Sequence, residues 1–185
     1  QLSSINVSNI SEIWLTHAHL GHIEGLGQFG KESLNSNGVK LRCSDSVADY
    51  VKSHPIWQKL FDRGNLILDN FFSDNIQPIE VPHRSQDFDT HSILFKGNQN
   101  NLLFLPDHDN WNKTLDFVGY KNLREWFSSL EVDIVLLDGT FWNLDELKGR
   151  VQEEVPHPPV VDTLDMLGKK QNGDPRIIFI HLNHT

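Results

Sequence analysis

Cysteine is nearly absent from this chain of 185 residues, because Cys43 is the only one. A single thiol cannot form an intrachain disulfide, and it cannot supply the several cysteines of a Cys-based zinc site. The sequence therefore excludes a disulfide framework. Any metal would have to be held by histidine, aspartate and glutamate side chains.

Long apolar runs and blocks of basic residues are also missing. No hydrophobic run approaches the roughly 20 residues that a bilayer crossing needs, so we expect no membrane span in this segment. The formal net charge is −9 and the carboxylates are scattered along the chain, which argues against a broad basic face for nucleic acid. We expect a small-molecule substrate rather than nucleic acid, although a local basic groove stays open.

The length and the ends of the chain bear on its domain organisation. With 38% hydrophobic residues, the chain can bury one substantial core, so we predict a single domain over residues 1–185. It begins at Gln1 and stops soon after an apolar run, which indicates a fragment of a longer protein. A compartment cannot be read from such an N-terminus; we expect the cytoplasm, and the periplasm stays open because the N-terminus is missing.

The hydrophobic patterns predict a mixed α/β fold of layered sheets and helices. One long helix is expected from an N-cap at Asp45, with an interruption near Pro55, and a later helix is expected to end at Gly173. The predicted strands lie at 10–16, 38–44, 65–70, 76–83, 91–97, 101–107, 132–138 and 176–184, and the predicted helices at 45–62, 120–130 and 158–174.

Four predicted strands end in side chains that bind metals. The segments are "IWLTHAH", "IEVPH", "LLFLPD" and "IIFIHLNH". In layered α/β folds, strand ends can point into a shared crevice, where a rigid backbone aims several side chains at one point. The sequence therefore predicts a metal site at the strand ends.

The densest part of this pattern is "THAHLGH", which has three histidines in six residues. In a His-x-His pair the imidazoles of His17 and His19 can converge on one cation, and zinc takes neutral imidazole nitrogens. His22 lies on the next turn and points to a neighbouring volume, an arrangement that suits two metals sharing a site. The alternative is a set of polar loop residues after a strand.

The run "LTHAHLGHIEGLGQFG" resembles the His-x-His-x-Asp-His signature of the metallo-β-lactamase superfamily. The segments "VPHR", "FLPDHDNW", "LLDGTFW" and "IIFIHLNHT" follow in that superfamily's order. Among the branches, the chain most resembles the pyrroloquinoline quinone biosynthesis protein B group. The resemblance implies an α/β, four-layer αββα sandwich, here without part of its N-terminal strands.

The resemblance also implies a set of ligands. They are His17, His19 and His83 at the first metal, His22 and His181 at the second, and Asp107 bridging both. An aspartate after the apolar "LLFLP" is costly to bury unless a cation or hydrogen bonds satisfy it, which agrees with this role. Asp109 is the alternative ligand. Asp138 is predicted to hold a ligating imidazole, or else to cap the turn at Gly139.

Gly21 departs from the signature, which has an aspartate at that position. The second site thereby loses a carboxylate ligand and one negative charge, so it should bind metal more weakly. Either the protein uses one tightly held metal, or the second site is completed by another group. The candidates are His184, Asp109 and a water molecule.

The leading functional hypothesis is a metal-dependent hydrolase that uses a metal-activated water. Asp107 would orient the water, and His157 or His184 would donate a proton to the leaving group. Zinc, as one or two ions, is the first choice of cofactor, and iron or manganese also suits the ligands. The alternatives are an iron-dependent oxygenase, as the quinone-biosynthesis resemblance implies, and a metal-binding scaffold that has lost catalysis.

Five other residues flank the predicted ligands. They are His91, His108, Trp111, Phe141 and Trp142. The histidines are candidates for substrate contact, and the aromatic residues are candidates for an apolar substrate pocket. Packing into the core is the alternative for the aromatic residues.

Overall fold

The computed structural model describes residues 10–146 and 155–183. The chain divides into two compact units, Gln1–Phe71 and Phe72–Thr185. Each unit has a sheet of its own, and each is described by itself below.

The N-terminal unit is a parallel sheet with helices between its strands. The sheet has three strands in the order β1-β2-β3, and all pairs are parallel. The strands are β1 (Glu12–Trp14), β2 (Val39–Arg42) and β3 (Leu66–Asp69), and the helices are α1 (Leu20–Ile23), α2 (Asp45–Ser53) and α3 (Pro55–Asp62), with a 3₁₀ helix at Glu24–Phe29.

The predicted long helix is two helices, and its predicted cap was off by one residue. The N-cap is Ser44 rather than Asp45, because the Ser44 hydroxyl accepts a hydrogen bond from the backbone N–H of Val47. The break at Pro55 is confirmed. Proline begins α3 at a position where its missing N–H costs nothing, and His54 before it is extended.

The C-terminal unit is a mixed sheet of five strands in the order β4-β5-β6-β7-β8. Its first two pairs are antiparallel, and β6, β7 and β8 are parallel to one another. The strands are β4 (Ile76–Glu80), β5 (His91–Lys96), β6 (Asn101–Leu105), β7 (Ile134–Asp138) and β8 (Arg176–Ile180), and the helices are α4 (Trp111–Val118), α5 (Leu123–Ser129) and α6 (Val160–Leu167), with a 3₁₀ helix at Leu144–Glu146.

This pairing gives β4, β6, β7 and β8 the same direction, because β5 is antiparallel to both of its neighbours. Their carboxyl ends therefore meet at one edge of the sheet, here called the carboxyl edge. The segments "VPH", "PD" and "HLN" and the final residue of β7 all lie at this edge. The topology thus gathers chain segments that lie far apart in the sequence.

The core of the C-terminal unit lies between the sheet and its helices. Helix α5 buries Leu123, Trp126 and Phe127. Trp111 is 3% exposed, and its indole N–H donates to Thr163 Oγ1 at 2.7 Å. Trp111 therefore packs in the core, which was the alternative to lining a substrate pocket.

One helix of this unit was not predicted, and the predicted end of another was wrong. The helix that was not predicted is α4, which Asn110 caps by accepting from the N–H of Lys113 at 3.0 Å. Helix α6 ends at Gly168 rather than Gly173, because Gly168 takes a positive φ of 58° that stops the helix.

The mixed α/β fold with two sheets is confirmed, and the described residues form six α-helices. Within those residues, no helix has the length and hydrophobicity that a bilayer crossing requires.

Candidate metal centre

The three histidines of "THAHLGH" lie together in the N-terminal unit. His17 follows β1 and is buried, and its Nε2 lies 2.9 Å from Nδ1 of His19. The ring centroid of His22, one helical turn further, is 4.2 Å from that of His17. Two imidazole nitrogens on one tetrahedral zinc are separated by roughly 3.3 Å, given Zn–N bonds of about 2.0–2.1 Å. The His17–His19 spacing is close to that of two ligands on one ion.

Local geometry explains this grouping. The Thr16 hydroxyl lies 3.1 Å from Nδ1 of His17 and holds one side of that ring. His19 is the N-cap residue of α1, so the short helix turns His22 back towards His17. Gly21 lies within α1, and no atom of the described residues comes within 4 Å of a Cβ built there. An aspartate would have room at position 21.

The C-terminal unit has a second group, the carboxyl-edge cluster, which consists of His83, Asp107, Asp138, His157 and His181. Four of its members follow or end strands at the carboxyl edge, and His157 precedes α6. Two trios within it have ligand atoms that all lie within 4.8 Å of one another. The trios are His83–Asp107–His157 and Asp138–His157–His181.

Asp107 lies at the centre of this cluster and is 2% exposed. Its Oδ1 is 3.9 Å from Nε2 of His83, 3.6 Å from Nδ1 of His157 and 3.7 Å from Nδ1 of His181. These separations are longer than direct hydrogen bonds and resemble the spacing of ligands around a cation. Burial, together with the nearby Asp138 carboxylate, raises the pKa of Asp107 to about 7. A bound cation would favour its ionised form.

Asp138 holds His157. Its Oδ2 accepts from Nδ1 of His157 at 2.6 Å, and its Oδ1 accepts from the N–H and the hydroxyl of Thr140 at 3.0 and 2.7 Å. Burial acts to lower the pKa of His157, but the hydrogen bond and the charge of Asp138 outweigh it, and the pKa is raised. The contacts with Thr140 show that Asp138 also closes the turn after β7, whereas its role beside a ligating imidazole stays a prediction.

The turn after β7 is fitted closely against β8. The N–H of Gly139 donates to the carbonyl oxygen of Ile180 at 2.8 Å, and a Cβ on Gly139 would lie 2.9 Å from that oxygen, so only glycine fits. This contact brings the Thr140 hydroxyl to 2.9 Å from Nδ1 of His181. His181 itself has a left-handed φ of 57°. Thr140 was missed in the sequence, where only "DGT" after an apolar strand could have signalled it.

Asp109 and His108 lie beside the cluster. Oδ2 of Asp109 pairs with Lys113 at 2.8 Å, and its Oδ1 is 3.7 Å from Nδ1 of His83. His108 is fully buried, with Nδ1 2.8 Å from the Thr114 hydroxyl, and burial lowers its pKa to about 4. His108 is thus a core residue.

The other candidates from the sequence are His91, Phe141, Trp142 and His184. His91 begins β5 at the carboxyl edge, and its Nδ1 lies 3.8 Å from Oδ1 of Asp89. Phe141 is buried, with its ring centroid 6.0 Å from that of His157, whereas Trp142 is 57% exposed. His184 lies outside the described residues.

The N-terminal group consists of imidazoles, and the carboxyl-edge cluster combines imidazoles with carboxylates. Both kinds of donor fit a divalent cation such as zinc. Burial of Asp107 and Asp138 among imidazoles points the same way, because neighbouring buried carboxylates repel each other without a compensating charge. The described residues therefore include His/Asp clusters suited to binding metal.

Comparisons with known proteins agree with this chemistry. A family model described as the beta-lactamase superfamily domain matches residues 3–182. No curated protein shows significant sequence similarity to the chain.

Among solved structures, Zn(2+)-bound PqqB from Methylobacterium extorquens is similar with a TM-score of 0.66 at 13% identity, over 96% of this chain and 64% of that one. The metallo-beta-lactamase fold protein YhfI from Bacillus subtilis has a TM-score of 0.62 at 14% identity, and the match covers 95% of this chain and 66% of YhfI. A diphosphatase from the PhnP family has a TM-score of 0.59 at 12% identity, and the match covers 99% of this chain and 64% of the diphosphatase.

The chain thus spans less than two thirds of the length of each of these three proteins. At these identities the likeness shows a shared fold. Taken with the family match over nearly the whole sequence, it shows that the chain belongs to the metallo-β-lactamase superfamily.

Proposed function

We propose that this protein is a metal-dependent hydrolase. The observation that carries the proposal is the carboxyl-edge cluster, in which one buried carboxylate, Asp107, lies 3.6–3.9 Å from three imidazoles. A structural aspartate would be expected to accept direct hydrogen bonds at about 2.7–3.2 Å. The wider spacing around Asp107 leaves room for a cation between the groups.

The ligand roles come from the superfamily pattern and stay predictions. They are His17, His19 and His83 at one metal, His22 and His181 at a second, and Asp107 shared by both. A divalent cation held there would lower the pKa of a coordinated water from about 15.7 towards about 7 and polarise the bond under attack. Asp107 would accept a hydrogen bond from that water and so orient it.

His157 is the proposed proton donor. Because Asp138 accepts from its Nδ1, the imidazole is held in one orientation, and its Nε2 is the nitrogen left to exchange a proton with a leaving group. His157 also belongs to both trios of the cluster, so a ligand role is the competing assignment. His184 is the second candidate for the donor.

The structural neighbours support hydrolysis as the reaction class. One of them is a diphosphatase, so this fold supports hydrolysis in at least one protein. Another, PqqB, was solved with Zn(2+) bound, which supports zinc as the first metal to test. We therefore propose hydrolysis of an ester or anhydride bond in a small molecule.

The test begins with elemental analysis of the chain purified without added metal. The zinc-loaded chain is then assayed with bis(4-nitrophenyl) phosphate and 4-nitrophenyl acetate. We expect bound zinc and turnover of at least one probe, lost in Asp107→Asn. Bound iron with oxygen-dependent turnover would favour the oxygenase instead, and bound metal without turnover of any ester would favour the scaffold.

Two variants separate proton donor from ligand. If His157 is the donor, His157→Ala should keep its metal and lose turnover, whereas His181→Ala should lose metal. Loss of equal amounts of metal in both variants would make His157 a ligand. The hydrolase proposal would survive that result, but its proton donor would be wrong.

A further inference from the structure

The hydroxyl of Thr140 lies within hydrogen-bond distance of several groups of the carboxyl-edge cluster. Its Oγ1 is 2.7 Å from Oδ1 of Asp138, 2.9 Å from Nδ1 of His181 and 3.2 Å from the carbonyl oxygen of His181. A hydroxyl has one proton to donate and two lone pairs that accept. What each neighbour can donate or accept therefore decides the direction of these hydrogen bonds.

Two of these three neighbours are oxygen atoms that only accept. The Asp138 carboxylate is both the nearer and the stronger acceptor, so the hydroxyl donates its proton to Asp138. The hydroxyl oxygen then presents a lone pair to Nδ1 of His181. This contact is favourable only if Nδ1 carries the proton of the neutral imidazole and donates it to Thr140.

His157 has a corresponding arrangement beside it. Its Nδ1 donates to Oδ2 of Asp138 at 2.6 Å, a much shorter distance than the 3.4 Å that separates it from the Thr140 hydroxyl. The two rings have centroids 5.7 Å apart, and Asp138 and Thr140 together accept from Nδ1 of both. In a neutral imidazole, a proton on Nδ1 leaves the lone pair on Nε2.

The orientation of the His181 ring depends on this contact, because the surrounding protein encloses the ring incompletely. Its side chain is 32% exposed, compared with 7% for His157. Its partner is held firmly, since the N–H of Gly139 donates to the carbonyl oxygen of Ile180 and the N–H of Thr140 donates to Asp138. Thr140 is thus a fixed acceptor for a ring that is one-third open to water.

We propose that Thr140 is a positioning residue that holds His181 in the Nδ1–H tautomer and so leaves Nε2 as the nitrogen that binds a metal. Nδ1 of His181 also lies 3.7 Å from Oδ1 of Asp107, so a metal bound at Nδ1 is the competing arrangement. That arrangement would remove the proton from Nδ1 and break the hydrogen bond to Thr140. Only the metal-binding half of the inference rests on the proposed function, since the tautomer follows from contacts within the chain.

The tautomer is measured by long-range proton–nitrogen NMR of the zinc-free chain with isotope-labelled histidine, at an alkaline pH where imidazole is neutral. The signals of His181 are identified by their absence in His181→Asn. The zinc Kd is measured by competition with a chromophoric chelator. The variants are Thr140→Val, which keeps the shape without the hydroxyl, and Thr140→Ser, which keeps the hydroxyl. The control, Thr90→Val, removes a buried hydroxyl that has no hydrogen-bond partner within the described residues.

We expect the Nδ1–H tautomer of His181 in the parent, in Thr140→Ser and in Thr90→Val, and all three should bind zinc alike. Thr140→Val should lose this tautomer, and its zinc Kd should rise about 10- to 100-fold, as for the lost partner of a metal ligand. The parent's tautomer needs no variant, so it decides the first half of the proposal even if Thr140→Val does not fold.

An Nε2–H tautomer of His181 in the parent would overturn the proposal. Zinc bound through Nδ1 of His181, or an unchanged zinc Kd in Thr140→Val, would overturn its metal-binding half. If the parent binds no zinc, the proposed function fails, and the NMR measurement still decides whether Thr140 sets the tautomer.

Discussion

Asp138→Asn is the substitution that tests most directly how the cluster is organised. In the parent, Oδ1 of Asp138 accepts two hydrogen bonds from Thr140, and Oδ2 accepts one from His157 at 2.6 Å. An asparagine would keep its oxygen towards the two Thr140 donors, so its NH₂ group would face Nδ1 of His157. The imidazole would then have to accept at Nδ1 and move its proton to Nε2. In that tautomer Nε2 can neither bind a cation nor accept a proton.

The magnitude follows from the buried geometry of this pair. Losing a partner that orients a ligand typically weakens metal binding about 10- to 100-fold, or roughly 1.4–2.8 kcal/mol. If His157 is a ligand, which is the competing assignment, we expect a loss of zinc affinity in that range for Asp138→Asn. If His157 is the proton donor, zinc affinity should stay near the parent's and turnover should fall instead. The fold should be retained in both cases, because the amide has the same shape and keeps the turn. The measurement is the zinc Kd, obtained by competition with a chromophoric chelator.

Asp133→Asn is the matched control. Asp133 precedes the same strand β7 at its opposite end, where its Oδ2 accepts from the N–H of Asn101 at 2.8 Å. The control should bind zinc like the parent. If Asp138→Asn loses neither zinc affinity nor turnover relative to this control, the tautomer argument is refuted. If Asp138 acts through the imidazole, adding Asp138→Asn to His157→Ala should cause little further loss.

Three further outcomes are expected. Asp107→Asn should reduce the amount of bound metal and, once a substrate is known, should reduce turnover by about 100-fold or more. Asp109→Asn should have a much smaller effect on both. A larger loss of metal or turnover in Asp109→Asn would reverse the assignment within "PDHD". Gly21→Asp should raise the affinity for zinc or the number of zinc ions bound, since it restores an anionic ligand at a position with room for it. An unchanged zinc titration would show that another group completes the second site. Trp111→Phe should lower the free energy of unfolding by about 1–3 kcal/mol, because it leaves the buried Thr163 hydroxyl without its indole donor, and a urea midpoint equal to the parent's would contradict this.

Much of the local structure could be predicted from the sequence. The alternation and apolar runs predict the eight strands that the described residues form, since a strand's pattern depends only on its own residues and on which face is buried. Proline at position 55 predicts the break between α2 and α3 for an equally local reason. The wrong boundaries, at Ser44 and Gly168, were each decided by one backbone angle or one capping hydrogen bond.

The chemistry of the candidate site was also visible in the sequence, as residue types at strand ends, but its arrangement was not. The pairing of Asp138 with His157 spans 19 residues, and that of Thr140 with His181 spans 41. Such contacts depend on strand order and on the shared direction of β4, β6, β7 and β8, which no local pattern encodes.

By itself, the sequence determined that any metal must be held by histidine and carboxylate groups, because it has one cysteine and places histidines after its strands. Only the tertiary structure decided that Trp111 and His108 belong to the core, that Asp109 pairs with Lys113, and that Asp107 is surrounded by imidazoles. The physical reason is that a residue's type sets which bonds it can form. Its neighbours in space, brought together by the parallel strands, decide which of those bonds it makes.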